Sequence, residues 1–263
     1  GESTGDGEFH GTVARRKKSS LIVDLTLDVT PGGTNALTGT VQAPEFNAAV
    51  VADRNVFHKK ANPYQPGAGK GGQRFTFFIR PPATLGSSDP FGYGIGSGRI
   101  DANGTVKWTG HLGDGHRVSQ SVPLSQAHTF PFFAAGYREG GVIIGNVAID
   151  STAPDSDLLG QLDWQKQPRG RDIDFPLGFT LEGAELVGAV CLPVSNARAL
   201  EGFSETANNA EVRLEGGKLP PAGITRIATF SAENKITVES PAEEKLQLRI
   251  NSKTGMVTGS FTH

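Results

Sequence analysis

Cysteine is nearly absent. Cys191 stands alone among 263 residues, so no internal disulfide staples the fold. Its neighbours in Val190-Cys191-Leu192-Pro193 are apolar, which marks it as a small buried hydrophobe rather than a nucleophile. Low cysteine fits a cytosolic protein and many bacterial envelope proteins alike. Net charge is nearly absent too. Lys+Arg 25 against Asp+Glu 27 gives −2, so no global field draws the chain onto nucleic acid or an anionic membrane. No apolar run approaches the ~18 residues of a spanning helix, so no membrane insertion of that kind is expected. An apolar leader is missing from Gly1-Glu2-Ser3-Thr4-Gly5-Asp6-Gly7, and any signal peptide is expected to lie upstream or to have been removed.

Glycine is abundant instead, at 35 of 263 residues, and glycine this frequent works against long helices. Hydrophobic residues at 37% and charged residues at 20% describe a folded chain with a sizeable core. Period-two alternation dominates. Leu21, Val23, Leu25, Leu27 and Val29 share one face, and Asp24, Thr26, Asp28 and Thr30 lie on the other, before Pro31-Gly32-Gly33 stops the run. Similar runs recur at Phe75–Arg80, Phe91–Asp101, Thr105–Leu112, Val118–Leu124, Val142–Asp150, Leu158–Gln165, Phe179–Val190, Val212–Leu214, Ile224–Ser231, Lys235–Glu239, Leu246–Asn251 and Met256–Thr262. Turn clusters such as Asp101-Ala102-Asn103-Gly104 and Gly113-Asp114-Gly115 separate them. The only helix candidate is Asn196–Ala207, and Lys59–Gln73 reads as a long surface loop. The chain is therefore expected to be all-β and antiparallel, a sandwich or barrel.

A pattern of large apolar, any, Gly, any, large apolar is centred on Gly11, Gly39, Gly110, Gly145, Gly160, Gly188 and Gly259. Composition alone gives roughly three such sites. The spacings 28 and 71 occur twice, and one offset of 149 maps Gly11, Gly39 and Gly110 onto Gly160, Gly188 and Gly259. This predicts two diverged copies of one unit, 1–150 and 151–263, packed as one body. The second copy is then incomplete, because the counterpart of Arg117–Asp150 would fall beyond His263. Its last strand, Met256–Thr262, is expected to be closed by the N-terminal segment Gly7–Ala14, the other outcomes being pairing with a second chain or an open edge. Each glycine lies on the apolar face of its strand, and Gly92, Gly94, Gly96 and Gly98 share one face. A coiled, barrel-like fold with bulky side chains opposite the glycines is the expected cause, and Gly110 and Gly145 should be buried beneath them.

Phe91-Gly92-Tyr93-Gly94-Ile95-Gly96, Gly104-Thr105-Val106, Gly110-His111-Leu112-Gly113-Asp114-Gly115, Phe130-Pro131-Phe132-Phe133 and Gly141-Val142-Ile143-Ile144-Gly145 together resemble a Gly-rich β-repeat module. That module occurs in large secreted or surface proteins of environmental bacteria, often beside immunoglobulin-like domains. Its usual Leu-Ala-Asp-Gly turn stands here as Leu112-Gly113-Asp114-Gly115. Gly160–Trp164, Phe175-Pro176-Leu177-Gly178-Phe179 and Lys253–Phe261 extend the likeness over nearly the whole chain. The resemblance implies an extracellular or cell-envelope setting and brings no activity, cofactor or site residue with it.

Candidate chemistry is sparse. His111, Asp114 and His116 offer three metal-ligand types in six residues, but Gly113-Asp114-Gly115 reads better as a turn. Asp150, Asp155 and Asp157, with Ser151, Thr152 and Ser156, form an oxygen-rich loop without calcium-loop spacing. Arg15-Arg16-Lys17-Lys18 reads as a solvated hairpin tip rather than a polyanion site. Glu182, Glu185, Glu243 and Glu244 contain no pair that spacing singles out for glycoside hydrolysis. Trp108 and Trp164 read as core packing rather than a glycan platform. No catalytic, cofactor or metal residue is assigned. The expected function is a non-enzymatic structural or adhesive module of a secreted or cell-surface bacterial protein, with surface glycans or neighbouring domains as partners. The alternative is a carbohydrate-binding module attached to a secreted hydrolase.

Overall fold

A computed structural model describes residues 2–3, 5–64, 72–138, 140–153, 156–191, 198–216, 219–239 and 244–262. Among these residues there is no helix, and every strand pair is antiparallel. Residues 198–207 of the helix candidate are irregular, with Gly202 at φ 86°, and residues 196–197 lie outside the described residues.

The centre of the fold is an eight-stranded sheet of β6 (Gln73–Arg80), β7 (Gly94–Ile100), β8 (Thr105–His111), β9 (Arg117–Pro123), β10 (Thr129–Gly136), β11 (Gly141–Ile149), β12 (Leu158–Lys166) and β13 (Phe179–Cys191). Its order is β10-β11-β12-β13-β6-β7-β8-β9, so the two outer strands are sequence neighbours. The sheet thus curls into a nearly closed up-and-down barrel, in which β13 pairs back onto β6 and a seam is left between β9 and β10.

Pro131 accounts for the seam. It has no N–H to donate, so a ladder bond on its side of β10 cannot form. The Gln120 side chain of β9 fills the gap. Its amide donates to Pro131 O at 3.0 Å, and its carbonyl accepts from Phe133 N–H at 3.1 Å. The same carbonyl accepts from the Trp108 indole at 3.1 Å. Pro131 also disguises β10 in the sequence, which is why alternation alone missed that strand.

Inward phases of the eight strands supply one core. Phe75, Phe77, Ile100, Val106, Trp108, Phe130, Phe132, Ile143, Val147, Leu158, Leu162, Trp164 and Leu186 are all buried in it. Trp108 stacks on Phe132 with ring centroids 4.2 Å apart, and Phe77 meets both edge-on. Glycines make room for these rings: Gly94, Gly96 and Gly98 of β7 lie beside Ile79, Phe77 and Phe75 of β6. Gly92 lies outside the strand and instead meets the backbone of Gly113. Gly110 is buried in β8 as expected, but its close neighbours are the backbone of Ile95 and Gly96. Gly145 in β11 is half-buried beneath Leu162.

Before the barrel comes a five-stranded meander of β1 (Glu2–Ser3), β2 (Glu8–Arg15), β3 (Lys18–Leu27), β4 (Ala36–Ala43) and β5 (Phe46–Asp53). After it come a sheet of β14 (Ala210–Leu214), β15 (Ile224–Phe230) and β16 (Ile236–Val238), and a hairpin of β17 (Gln247–Ile250) and β18 (Val257–Ser260). The C-terminal part has its own small core around Ile224, Ala228 and Phe230.

The expected halves do not coincide with these sheets. β11 pairs with β12 across residue 150, so the barrel spans the proposed boundary. Nor does the offset of 149 preserve strand order. Gly11 and Gly39 lie on β2 and β4 with β3 between them, whereas Gly160 and Gly188 lie on the adjacent strands β12 and β13. Glycine spacing counted residues and missed that 18–27 is a strand while its counterpart is a loop. A different correspondence holds in register. Leu25 faces Gly39 and Leu27 faces Leu37 in β3–β4, while Leu248 faces Gly259 and Ile250 faces Val257 in β17–β18. The expected closure by Gly7–Ala14 is absent as well, since β2 pairs with β1 and β3, and β18 with β17.

Candidate functional site at one end of the barrel

Each mouth of the barrel is plugged. At one, the arm after β5 folds over the opening. Phe57, Tyr64 and His128 form an aromatic cluster, and the Tyr64 hydroxyl donates to Gln73 Oε1 at 2.9 Å. Burial pushes that hydroxyl up to about 12.

The opposite mouth holds the densest polar chemistry. β12 carries Leu158, Leu162 and Trp164 inward, and the same phase brings Lys166 to the end of the barrel. Its side chain is only 3% exposed. The ammonium lies 2.6 Å from Asp172 Oδ2 and 3.4 Å from Asp114 Oδ2. Three rings surround it, with centroids at 4.7 Å (Tyr137), 5.1 Å (Phe175) and 5.9 Å (Phe179). Asp114 comes from the β8–β9 turn, Tyr137 from the β10–β11 turn, and Asp172 and Phe175 from the β12–β13 loop.

The carboxylates are held firmly. Asp114 Oδ1 accepts the His116 backbone N–H at 3.0 Å, and Asp114 Oδ2 accepts the Tyr137 hydroxyl at 2.6 Å. Burial, then the bond to Asp114, pushes the Tyr137 hydroxyl well above the ordinary tyrosine range. The His116 ring stacks on Tyr137 at 4.2 Å, and its Nε2 accepts the Tyr137 backbone N–H. Asp172 Oδ1 accepts backbone N–H groups from Phe175 at 2.9 Å and Asp174 at 3.2 Å. The Lys166 hydrogen bond, then the Phe175 N–H, holds its carboxyl below the usual carboxylate value.

The sequence grouped His111, Asp114 and His116, and the fold divides them: Asp114 and His116 enter the cluster, while His111 is exposed on β8. Among the described residues no group of three or more His, Cys, Asp or Glu side chains is arranged to hold a metal. In the acidic loop, Asp150 caps its own turn through Thr152. Ser156 and Asp157 bond to Gly188 and Val190 and so tie β12 to β13. Asp155 lies outside the described residues. Arg15 bonds Ser19 O and lies 3.5 Å from Glu45, at a hairpin tip as expected. Glu185 pairs with Arg80 and Glu244 with Arg226, and Glu243 lies outside the described residues. Trp108 and Trp164 are buried in the core. Cys191 is half-buried, with its thiol on Thr254 O and pushed up by burial. Lys166 was missed, although a lysine on the inward phase of an apolar strand is a legible signal.

Two apolar surfaces complete the inventory. Strand register places Phe9, Val13, Leu21, Val23, Leu25, Leu27, Leu37, Val41, Phe46 and Val50 on one face of the five-stranded sheet. None of these side chains is buried. On the outer barrel wall, Leu159, Val187, Phe78 and Ile95 are successive cross-strand partners. They adjoin a groove of about 430 Å³ that is closed on one side by Met256 and Val257. Comparison with protein-family models, with curated proteins and with solved structures finds no match for this chain.

Proposed function

We propose that the protein is a non-enzymatic structural or adhesive module of a secreted or cell-surface bacterial protein, and that it joins to copies of itself through its five-stranded sheet. The apolar face of that sheet, which none of the described residues buries, carries the reading. A sheet that is apolar on one side is stable when another layer covers that side, and here no side chain of that face is buried. The barrel supports it, because aromatic and aliphatic side chains fill its interior where a ligand-carrying barrel keeps a cavity. The shared register of β3–β4 and β17–β18 also supports it, since the same kind of hairpin occurs before and after the barrel in sequence.

The test is oligomeric state by light scattering over a range of concentrations. The wild-type chain should form dimers or larger species, and Val13→Lys with Phe46→Lys should shift it to monomer. A wild-type chain that stays monomeric at high concentration overturns the reading.

A carbohydrate-binding module is the second reading. Phe91 and Tyr93 are exposed, Tyr93 lies 6.0 Å from Phe78, and Arg80 pairs with Glu185 alongside. Exposed rings beside a charged pair suit sugar stacking. A glycan array scored against Tyr93→Ala separates the two readings.

A further inference from the structure

The geometry points to a covalent product at the plugged mouth: an amide bond between Lys166 Nζ and Asp172 Cγ, formed by the folded chain itself with Asp114 as the proton carrier. Amide formation needs four things, and the cluster supplies each. The amine and carboxyl are in contact, with Lys166 Nζ 2.6 Å from Asp172 Oδ2. A second carboxylate touches the same nitrogen, at 3.4 Å. The oxygen that gathers charge during attack, Asp172 Oδ1, faces two backbone N–H donors, from Phe175 and Asp174. Finally, the rings of Tyr137, Phe175 and Phe179 shield the ammonium from water.

The Lys166 ammonium first passes a proton to Asp114, which frees the nitrogen lone pair. Asp114 passes that proton on to Asp172 Oδ2. The amine attacks Asp172 Cγ, the C–N bond forms, and negative charge gathers on Oδ1 under the two N–H groups. Asp114 removes the second proton from nitrogen and delivers it to Oδ2. The Cγ–Oδ2 bond breaks and water leaves. One ammonium and one carboxylate become one neutral amide and one water. Asp114 ends as it began, and no oxidant or reductant enters.

Two effects offset the usual preference for hydrolysis. Fixed contact raises the effective concentration of amine at the carboxyl by many orders of magnitude. A neutral amide also removes the desolvation cost that the fold otherwise carries for the buried charges. Asp172 is 24% exposed, which gives the released water a way out. The bond would fasten the β12–β13 loop over the mouth of the barrel, whether or not the sheet self-associates.

Intact-mass measurement on the purified wild-type chain tests the proposal. The expected mass is one water below that of the sequence, and protease digestion should yield a branched peptide joining Lys166 to Asp172. Lys166→Arg keeps the positive charge but cannot form this bond, so its mass should be full. Asp114→Asn should also have full mass while keeping the wild-type circular dichroism spectrum. A succinimide at Asp114-Gly115 would also lose one water, but it would persist in Lys166→Arg and give only linear peptides. Wild-type protein at full mass after prolonged incubation in the folded state overturns the proposal and leaves a buried ion pair. A branched peptide in Asp114→Asn overturns the role of Asp114.

Discussion

The ring of Phe77 occupies the space that a side chain on Gly96 would need: a Cβ built on Gly96 lies 2.2 Å from Phe77 Cζ. The next inward position repeats the arrangement, with Gly98 against the Phe75 ring at 2.3 Å. Both rings are buried. Gly96→Ala should therefore overpack the core and cost about 1–3 kcal/mol or more. Urea denaturation measures it, and an unchanged midpoint would show that the ring can move aside.

Gln120→Leu should weaken the seam. It strands the Trp108 indole N–H and removes the bridge to Pro131 and Phe133. A buried donor left without a partner costs about 1–3 kcal/mol. Hydrogen exchange should rise in β9 and β10 before it rises in β12 and β13.

Alkaline pH should unfold the protein through its buried tyrosines. In the unfolded chain Tyr64 ionises near 10, and in the folded chain near 12. Tyr137 shifts in the same direction. Below pH 10 the stabilisation is complete. As pH rises above 10 the unfolded chain releases protons that the folded chain retains, so stability falls. Denaturation midpoints across this range should drop, and Tyr64→Phe should reduce the slope.

Cys191 should react slowly with a thiol reagent at neutral pH in the folded state and quickly in urea. Burial raises its thiol, and the thiol hydrogen is engaged by Thr254 O. Equal rates in both states would place the thiol in solvent.

Much of the barrel was legible because strands with one buried face print their alternation directly. Gln73–Arg80 is an example, with every second residue buried. β5 was not legible, since Asn47-Ala48-Ala49-Val50-Val51-Ala52 has no contrast between its faces and stays largely exposed. The mouth cluster was not legible as a unit. Asp114, Tyr137, Lys166 and Asp172 come from three different turns and a strand end, and only barrel closure brings them together. Glycine periodicity was readable as spacing yet misleading as a repeat, because it cannot show how many strands lie between two glycines.

The order of strands around the barrel has a kinetic consequence. Seven junctions join strands adjacent in sequence, counting the seam, and such neighbours meet early at small entropic cost. The remaining junction, β13 on β6, brings together residues such as Phe77 and Gly188, roughly 110 positions apart. Refolding should therefore wait on that single encounter. Substitutions along it, such as Leu186→Ala, and in hairpins that form before it, such as β10–β11, should slow folding more than they speed unfolding.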